Sequence, residues 1–227
     1  NLPSCTYLDA DLYFFSSPEL LLNELGKKSV LITEHRYSPE YDQAITSGKY
    51  CVQFITFKNN EEGLTALRWW RRECIKWCYA RLEDGKFGDQ KYLDDWLIRF
   101  NGVHDLEHLG GGLAPWNIQK YQIELKESSL FGIEKSSGTN FPVVFYHFHE
   151  LRFTTPNKLE FGTYRLSKDQ INLIYKPYVQ HLERVNQQLI QRFGDENFHG
   201  ISKGEINLKT PIRILKRKLL RNYNVFS

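Results

Sequence analysis

Apolar and polar residues alternate in short runs over most of the chain and follow a longer, helical period towards its end. The short apolar runs predict strands, which cover residues 1–15, 29–33, 50–57, 103–108, 121–131 and 143–148. Apolar residues at helical spacing predict two helices between these strands, over 19–25 and 59–82. Gly26 ends the first helix. Asn59 or Asn60 caps the second, whose apolar stripe we expect to pack against the core.

The pattern changes after residue 167. Residues 168–193 have helical spacing, although Pro177 must kink or break that helix. A polar linker over 194–204 then leads to a basic amphipathic helix over 210–221. This last helix fits two roles: it lies on an anionic membrane surface, or it packs on the domain with its basic face in water.

Asp9 and Asp11 interrupt an aromatic-rich run near the start of the chain. In an extended chain, side chains at this spacing point to the same face. Two carboxylates there repel each other and are costly to desolvate. A bound Mg²⁺ or Mn²⁺ would remove that cost, because both ions prefer carboxylate oxygens and substrate phosphates. The alternative is a turn in which both side chains only accept hydrogen bonds from backbone amides.

Residues 88–96 form a second informative stretch. Asp89 is well placed to cap a helix at its N-terminus. Gln90 and Asp94 then share one face of that helix, with Asp95 beside them.

Three glycines and two histidines add further candidates. The glycines, at 110–112, allow the backbone to approach a ligand closely or simply form a loop. His147 and His149 share a face of an extended chain. One of them either completes a metal site begun by Asp9 and Asp11 or makes a structural hydrogen bond.

Composition narrows the class of protein. The chain has 227 residues, 41% of them hydrophobic and 25% charged, which suits a folded protein with a substantial core. The net charge of +3 gives no argument for a nucleic-acid partner, and we expect none. Four cysteines without zinc-finger spacing favour a reducing, cytoplasmic setting, with any membrane contact peripheral and on the inner face.

Four stretches together resemble one family of enzymes. They are Tyr-Leu-Asp-Ala-Asp-Leu-Tyr-Phe-Phe (7–15), Gly-Asp-Gln-Lys-Tyr-Leu-Asp-Asp-Trp (88–96), Leu-Ala-Pro-Trp-Asn (113–117) and Phe-Tyr-His-Phe-His (145–149). Their order and spacing look like those of bacterial glycosyltransferases with the GT-A, or nucleotide-diphospho-sugar transferase, fold. These are distant relatives of glycogenin and the lipopolysaccharide galactosyltransferases. The resemblance implies an α/β fold with a mixed sheet flanked by helices: a catalytic domain over 1–165, and a helical extension over 166–227.

The same resemblance implies a metal site. Asp9 and Asp11 would hold Mn²⁺ or Mg²⁺ on the diphosphate of a nucleotide-diphospho-sugar donor. The histidine ligand of the family falls at His147, with His149 as the alternative.

The remaining implied residues concern the sugars. The segment that faces the donor sugar and the acceptor begins at Asp89 and Gln90, and the glycine loop brings Gly111 and Gly112 to the cofactor. Asp94 or Asp95 would act as a base towards the hydroxyl of a glycan or lipid-linked acceptor.

Three departures from the family pattern bear on these expectations. Only eight residues precede Asp9, where relatives have the first βαβ units that hold the base and ribose. The chain also begins with Asn1 and contains no Met, so we expect it to lack the N-terminal nucleotide-binding part. Cys51 and Gln53 stand where relatives often carry an Asn-x-Gly that contacts the sugar, and Glu150 stands where many have glycine.

Three functions remain open from the sequence. The first is a metal-dependent glycosyltransferase. The second is a truncated or degenerate module that binds a sugar or a partner without turnover. The third is a metal-dependent phosphohydrolase, which needs further carboxylate or histidine ligands that are not obvious here.

Overall fold

The computed structural model describes residues 2–155, 158–194, 198–202 and 210–226. The chain divides into two compact units: residues 1–122 with 131–147, and residues 123–130 with 148–227. Both contain helices and strands, so the protein is a mixed α/β structure with several sheets. The division into a catalytic domain over 1–165 and a helical extension over 166–227 stays a prediction.

The first unit begins with β1 (Ser4–Leu8), β2 (Leu12–Phe14), β3 (Val30–Glu34), β4 (Tyr50–Lys58) and β5 (Val103–Asp105). Its helices are α1 (Glu19–Leu22), α2 (Ala44–Ser47), α3 (Glu61–Lys76) and α4 (Trp96–Arg99), and 3-10 turns cover Asn23–Leu25, Pro39–Tyr41, Lys91–Asp95 and Ile118–Lys120. Strands β6 (Tyr121–Lys126), β7 (Ser129–Glu134) and β8 (Asn140–Pro142) form a separate sheet in that order, of which residues 123–130 count with the second unit, and β9 (Phe145–His147) follows in the first.

The main sheet has the strand order β1-β4-β3-β5. Strand β4 runs antiparallel to both β1 and β3, and β3 runs parallel to β5. The carboxyl ends of β1, β3 and β5 therefore lie at one edge of the sheet, together with the start of β4. Side chains that follow these three strands are gathered at that edge, where open α/β sheets commonly bind ligands.

Each face of this sheet is buried by a different set of apolar residues. On one face, α3 and the 88–100 region cover the strands, with Val30, Ile32 and Trp96 in the core. On the other face, α1 and β9 supply the cover, with Leu21 and Phe145 fully buried. Because both faces of the sheet are covered, the side chains on both sides of β4 are buried along almost its whole length.

The second unit contains an antiparallel sheet and two helical regions. The sheet has the order β10 (Leu151–Thr155), β11 (Lys158–Phe161) and β12 (Val225–Phe226). Helix α5 (Lys168–Gln170) starts at a capping box formed by Ser167 and Gln170. A π-helical stretch over Ile171–Tyr175 leads into α6 (Lys176–Phe193), and α7 (Thr210–Leu219) comes later in the chain. Within the described residues, no helix is long and apolar enough to cross a membrane.

Several local predictions are confirmed. Gly26 follows the first helical segment with a positive φ of 45°. The Asn60 side chain caps α3 by accepting a hydrogen bond from the Gly63 N–H. One prediction is corrected here: Pro177 does not break its helix, because it lies directly after the π-helical stretch, where the spacing of the backbone hydrogen bonds has already changed.

Other local predictions are wrong. Helix α3 ends at Lys76, not at residue 82. The predicted strand over 121–131 is two strands, because Glu127 and Ser128 turn the chain with φ values of 47° and 70°. Asp89 does not cap a helix, since the N-cap position of the 3-10 turn Lys91–Asp95 is held by Gln90, without a side-chain cap. Strands β10, β11 and β12 were not predicted, and the proposed linker over 194–204 lies partly outside the described residues.

Candidate functional site

The pairing of β2 with β9 brings a histidine to the Asp-x-Asp turn. Leu12 pairs with His147, so the residue before β2, Asp11, lies beside that histidine. The Nε2 atom of His147 is 3.0 Å from Asp11 Oδ1 and 3.8 Å from Asp9 Oδ2. The turn between β1 and β2 thus aims two carboxylates at one imidazole nitrogen. The imidazole is nearly buried, whereas the side chain of Asp11 is 47% exposed.

The other side of the His147 ring is held in place. Its Nδ1 atom is 2.9 Å from Gln53 Oε1, and the ring of Trp116 contacts it edge-on, with the ring centroids 5.1 Å apart. An amide oxygen only accepts, so Nδ1 carries the hydrogen of this bond and Nε2 faces the two aspartates. Such a second partner, which fixes the ring and its tautomer, is typical of metal-binding histidines.

A β-bulge in β4 shapes the floor of the site. Thr33 pairs with Cys51 and Leu31 pairs with Thr56, so β4 contains extra residues between these two pairs. Val52 and Ile55 consequently belong to the same core cluster, which strict alternation along a strand would forbid.

Two buried side chains of this bulged segment matter for the site. The Gln53 side chain is fully buried, and its Nε2 atom has no hydrogen-bond partner among the described residues. Ligand atoms of Asp9, Cys51 and His147 all lie within 4.8 Å of one another. An orphaned buried amide and a mixed carboxylate, thiol and imidazole cluster are what a site for a cation and a polar ligand would show.

The electrostatics reflect this concentration of negative charge. The Tyr7 hydroxyl donates a 2.9 Å hydrogen bond to Asp9 Oδ1. Partial burial, and then this bond, raise the pKa of Tyr7 to about 12. Burial also raises the pKa of Asp89, and the charge of Asp9 adds to the rise. For Cys51, burial is the main cause of a raised pKa, and the charges of Asp9, Asp89 and Asp11 add to it. The negative charge of the Asp-x-Asp turn therefore acts on Asp89 as well.

The predicted glycine loop packs tightly beside the site. A Cβ on Gly111 would lie 2.5 Å from Leu106 Cδ2, and Gly112 has φ +104° with Thr33 and Gln53 within 3.1 Å of a Cβ position. Asn117, which is buried, holds the loop by donating to the carbonyls of His35 and Gly112 and accepting from the Ala114 N–H. The two glycines thus have a packing role beside Gln53, and their contact with a cofactor stays a prediction.

The other predicted site residues of the first unit make local contacts. Gln90 donates to the Ser47 carbonyl over 2.9 Å. Asp94 accepts hydrogen bonds from the Lys49 N–H and from Lys91 Nζ. Asp95 forms an ion pair with Arg99 one helical turn away. These contacts explain Asp94 and Asp95 structurally, and their action as a base stays a prediction.

His149 belongs to the second unit. It is exposed, and its ring centroid is 6.3 Å from that of Tyr164. The neighbouring Glu150 has a φ of 65°, the left-handed region that favours glycine. Its carboxylate accepts hydrogen bonds from both the N–H and the hydroxyl of Thr163.

A polar cleft of about 390 Å³ opens at the same edge of the main sheet. It is formed by the segment after β3 and the segment before β4, and is lined by Glu34, Arg36, Tyr37, Asp42, Ala44, Lys49 and Lys120. Tyr37 stacks on His35, whose ring contacts Trp116 and through it His147. Aromatic contacts therefore connect the cleft to the histidine of the site.

Sequence reasoning assigns no site role to four residues near the cluster. Tyr7 and Trp116 belong to motifs of the family resemblance, and Cys51 and Gln53 stand out only as departures from it. The spacing of Cys51 and Gln53, two residues along a strand, is the available signal, since it puts both side chains on one face.

Comparison with known proteins finds two uncharacterized proteins of Bacillus subtilis (strain 168). The chain is 30% identical to YfnD over 197 residues, which is 83% of this chain and 60% of YfnD. It is 27% identical to YfnF over 214 residues, which is 91% of this chain and 68% of YfnF. The chain thus spans about three fifths of the length of YfnD. No protein-family model and no solved structure matches it.

Proposed function

We propose that this chain is part of a metal-dependent glycosyltransferase with a GT-A-like fold, which transfers a sugar from a nucleotide-diphospho-sugar to a glycan or lipid-linked acceptor. One observation carries the proposal: His147 lies far from Asp9 and Asp11 in the sequence but meets both at the carboxyl edge of a mixed sheet. The sequence motifs that contain them occur in the order that this enzyme family uses. The orphaned Gln53 amide beside them supports a site for a polar ligand.

The residues present fit a divalent cation such as Mn²⁺ or Mg²⁺. Asp9, Asp11 and the Nε2 atom of His147 would hold it, with Gln53 fixing the imidazole from behind. When bound, the cation acts as a Lewis acid that stabilises the departing diphosphate. Asp89, whose pKa is raised by burial and in part by the charge of Asp9, would accept hydrogen bonds from sugar hydroxyls near the anomeric carbon.

The polar cleft suits the acceptor. Its carboxylates and lysines offer acceptors and donors to hydroxyl groups, and Tyr37 offers a ring edge or face to a sugar. Acceptor binding there would bring a hydroxyl to the edge of the sheet that holds the Asp-x-Asp turn. A module that binds sugars without turnover stays the second candidate, favoured by the engagement of Asp94 and Asp95 in other contacts.

A thermal-shift screen of nucleotide-diphospho-sugars, with and without Mn²⁺, tests the proposal. A ligand at about 100 times its Kd adds about 2.7 kcal/mol to the free energy of unfolding. For a protein of this size that corresponds to a rise in Tm of about 5–10 °C. We expect the rise only when Mn²⁺ is present, and we expect Asp11→Asn to abolish both the rise and sugar transfer.

Asp84→Asn is the matched control. Asp84 is exposed and has φ +50°, which Asn tolerates well. The control should behave as the wild type. A metal-dependent shift that survives in Asp11→Asn would refute the assignment of the cation site. A shift without detectable transfer or donor hydrolysis would favour the non-catalytic module.

We further propose that α7 attaches the protein peripherally to an anionic membrane surface. In the second unit, Arg217 faces inward, where it pairs with Glu160 on β11 and donates to the Gly162 carbonyl. The opposite face of the helix consists of Ile212, Leu215 and Leu219, which are 70%, 59% and 75% exposed. The apolar residues that the sequence pattern would allow to pack inward therefore point to solvent.

Charge supports a lipid surface as the partner. The segment 210–226 contains no acidic residue. Exposed basic residues flank the apolar face, namely Arg213, Lys216, Lys218 and Arg221. A helix with an apolar face between basic flanks is suited to the boundary between headgroups and acyl chains, and each basic residue near an anionic leaflet adds about 1 kcal/mol of attraction.

Vesicle sedimentation tests the attachment. We expect the protein to bind vesicles that contain phosphatidylserine, with binding that weakens as salt is added. Replacing Ile212, Leu215 and Leu219 together by Gln should lower binding at least about tenfold, given about 0.8 kcal/mol per buried CH₂. Ile98→Gln, a change at an isoleucine of α4 that is 93% exposed, should have no effect.

Three results would count against the lipid surface. One is unchanged vesicle binding by the triple variant, and another is equal binding to vesicles of neutral lipid. The third is a wild-type dimer in solution that the triple variant loses, which would identify a second copy of the chain as the occupant of this face.

A further inference from the structure

We propose that Cys51 is a thiolate ligand of the cation site, so that the site takes ions of the zinc and cobalt class in preference to Mg²⁺. This inference rests on the cation site proposed above. Cys51 stands in the stretch where the enzymes that this chain resembles often carry an Asn-x-Gly that contacts the sugar. A thiolate there changes the ligands of the site from oxygen and nitrogen donors to a mixed set that includes sulfur.

Geometry is the first argument. The Sγ atom of Cys51 lies within 4.8 Å of ligand atoms of Asp9 and His147. An ion that binds sulfur at about 2.3 Å and nitrogen or oxygen at about 2.1 Å holds these atoms about 3.6 Å apart in a tetrahedral site, so they must approach by up to about 1 Å when it binds. The cluster itself therefore offers one carboxylate, one imidazole and one thiolate. Asp11 Oδ1 is 3.0 Å from the Nε2 atom of His147, so a second carboxylate lies beside the imidazole.

Burial is the second argument. Cys51 is 3% exposed and sits on the floor of the site, on the bulged part of β4. A buried cysteine in an ordinary core is surrounded by apolar groups. Cys51 instead has the carboxylates of Asp9, Asp11 and Asp89 in its electrostatic neighbourhood. A cation accounts for why a thiol and two carboxylates lie near one imidazole, because it is attracted to all of them.

Ligand softness sets the expected preference. Mg²⁺ requires oxygen ligands in a near-octahedral arrangement and rarely accepts sulfur. Thiolate and imidazole ligands favour Zn²⁺ and Co²⁺, and Mn²⁺ lies between these ions and Mg²⁺. We therefore expect binding to strengthen in the order Mg²⁺, Mn²⁺, Co²⁺, Zn²⁺, with the largest gain where sulfur takes part.

Titration with Co²⁺, under a non-thiol reductant, tests the inference by absorption and not by activity. Bound Co²⁺ gives visible ligand-field bands from any ligand set and a near-ultraviolet charge-transfer band only from a thiolate. We expect both kinds of band in the wild type once one equivalent of Co²⁺ has been added. Cys51→Ser should lose the charge-transfer band, keep weak ligand-field bands, and bind Zn²⁺ more than about tenfold less tightly, since even loss of an outer partner costs about that much.

Cys78→Ser is the control, because Cys78 is an exposed cysteine and forms a separate thiol pair with Cys74. It should leave both bands unchanged, and circular dichroism checks that each variant is folded. Ligand-field bands without charge transfer in the wild type would refute the role of Cys51 but leave the cation site standing. Absence of any Co²⁺ binding would refute the cation site itself. A charge-transfer band lost in Cys78→Ser and kept in Cys51→Ser would assign the metal to the other thiols.

Discussion

Gly112 shows how closely the backbone packs beside the candidate site. Its φ of +104° is unfavourable for residues with a side chain, and a Cβ there would lie 2.9 Å from Thr33 Cγ2 and 3.1 Å from Gln53 Nε2. Since Gln53 positions His147, any displacement of Gln53 would move the imidazole. The glycine therefore preserves the arrangement of the site as well as the path of the loop.

Gly112→Ala should accordingly destabilise the protein by about 2–5 kcal/mol, from backbone strain and overpacking together. Gly138→Ala is a control that separates the two costs. Gly138 has φ +74°, but nothing lies within 4 Å of its Cβ position, so only the strain of about 1–2 kcal/mol applies. Urea denaturation measures both. Equal losses in the two variants would mean that close packing is not what requires Gly112.

At the scale of elements, a buried carboxylate in the second unit connects a helix to a sheet. Glu160 on β11 is 6% exposed and pairs with Arg152 on β10 and Arg217 on α7. Burial acts to raise the pKa of Glu160, but the hydrogen bonds from Arg217 and Arg152 outweigh it, and the pKa lies below its ordinary value of 4.5. This ion pair is what turns the basic Arg217 inward and the apolar side chains of α7 outward.

Glu160→Gln should lower the free energy of unfolding at pH 7 by about 3 kcal/mol, because it leaves Arg217, whose side chain is only 16% exposed, without its charged partner. A carboxyl whose pKa is depressed by folding stabilises the protein above its unfolded pKa, and that contribution disappears as the pH falls through the folded pKa. The difference in the free energy of unfolding between the wild type and Glu160→Gln should therefore be constant down to about pH 5 and shrink below pH 4.5. Urea denaturation as a function of pH measures it.

Glu183→Gln is a suitable comparison, since Glu183 also belongs to the second unit but its side chain is 43% exposed. It should change the free energy of unfolding little at pH 7 and at pH 3. If Glu160→Gln lowers the free energy of unfolding as much at pH 3 as at pH 7, the carboxylate charge is not what holds α7 in place.

At the scale of the whole molecule, the chain comprises two compact units with different contents. The first holds the main sheet and the cation-site candidates, and the second holds the basic helix with its exposed apolar face. The match to about three fifths of YfnD leaves the activity of the complete protein a proposal. The proposed chemistry and the proposed membrane attachment can be tested separately, because their key residues lie in different units.

The features that depend on neighbours along the chain can be predicted from the sequence alone. Strand β4 follows from its β-branched and aromatic residues, and the start of α3 follows from the Asn60 cap, since both are local preferences. The Asp-x-Asp turn was also visible, because its spacing alone puts two carboxylates on one face. The turn at Glu127 and Ser128 was not, because it uses left-handed conformations in residues that rarely adopt them.

Which side chain meets the Asp-x-Asp turn depends on the tertiary structure. The spacing of His147 and His149 leaves both open, the family resemblance favours His147, and the pairing of β2 with β9 brings His147 to Asp11. The bulge in β4 and the inward turn of Arg217 likewise arise between segments distant in sequence. Alternation and periodicity report how residues repeat along an element, but which side chains converge is set by strand pairing and packing across the molecule.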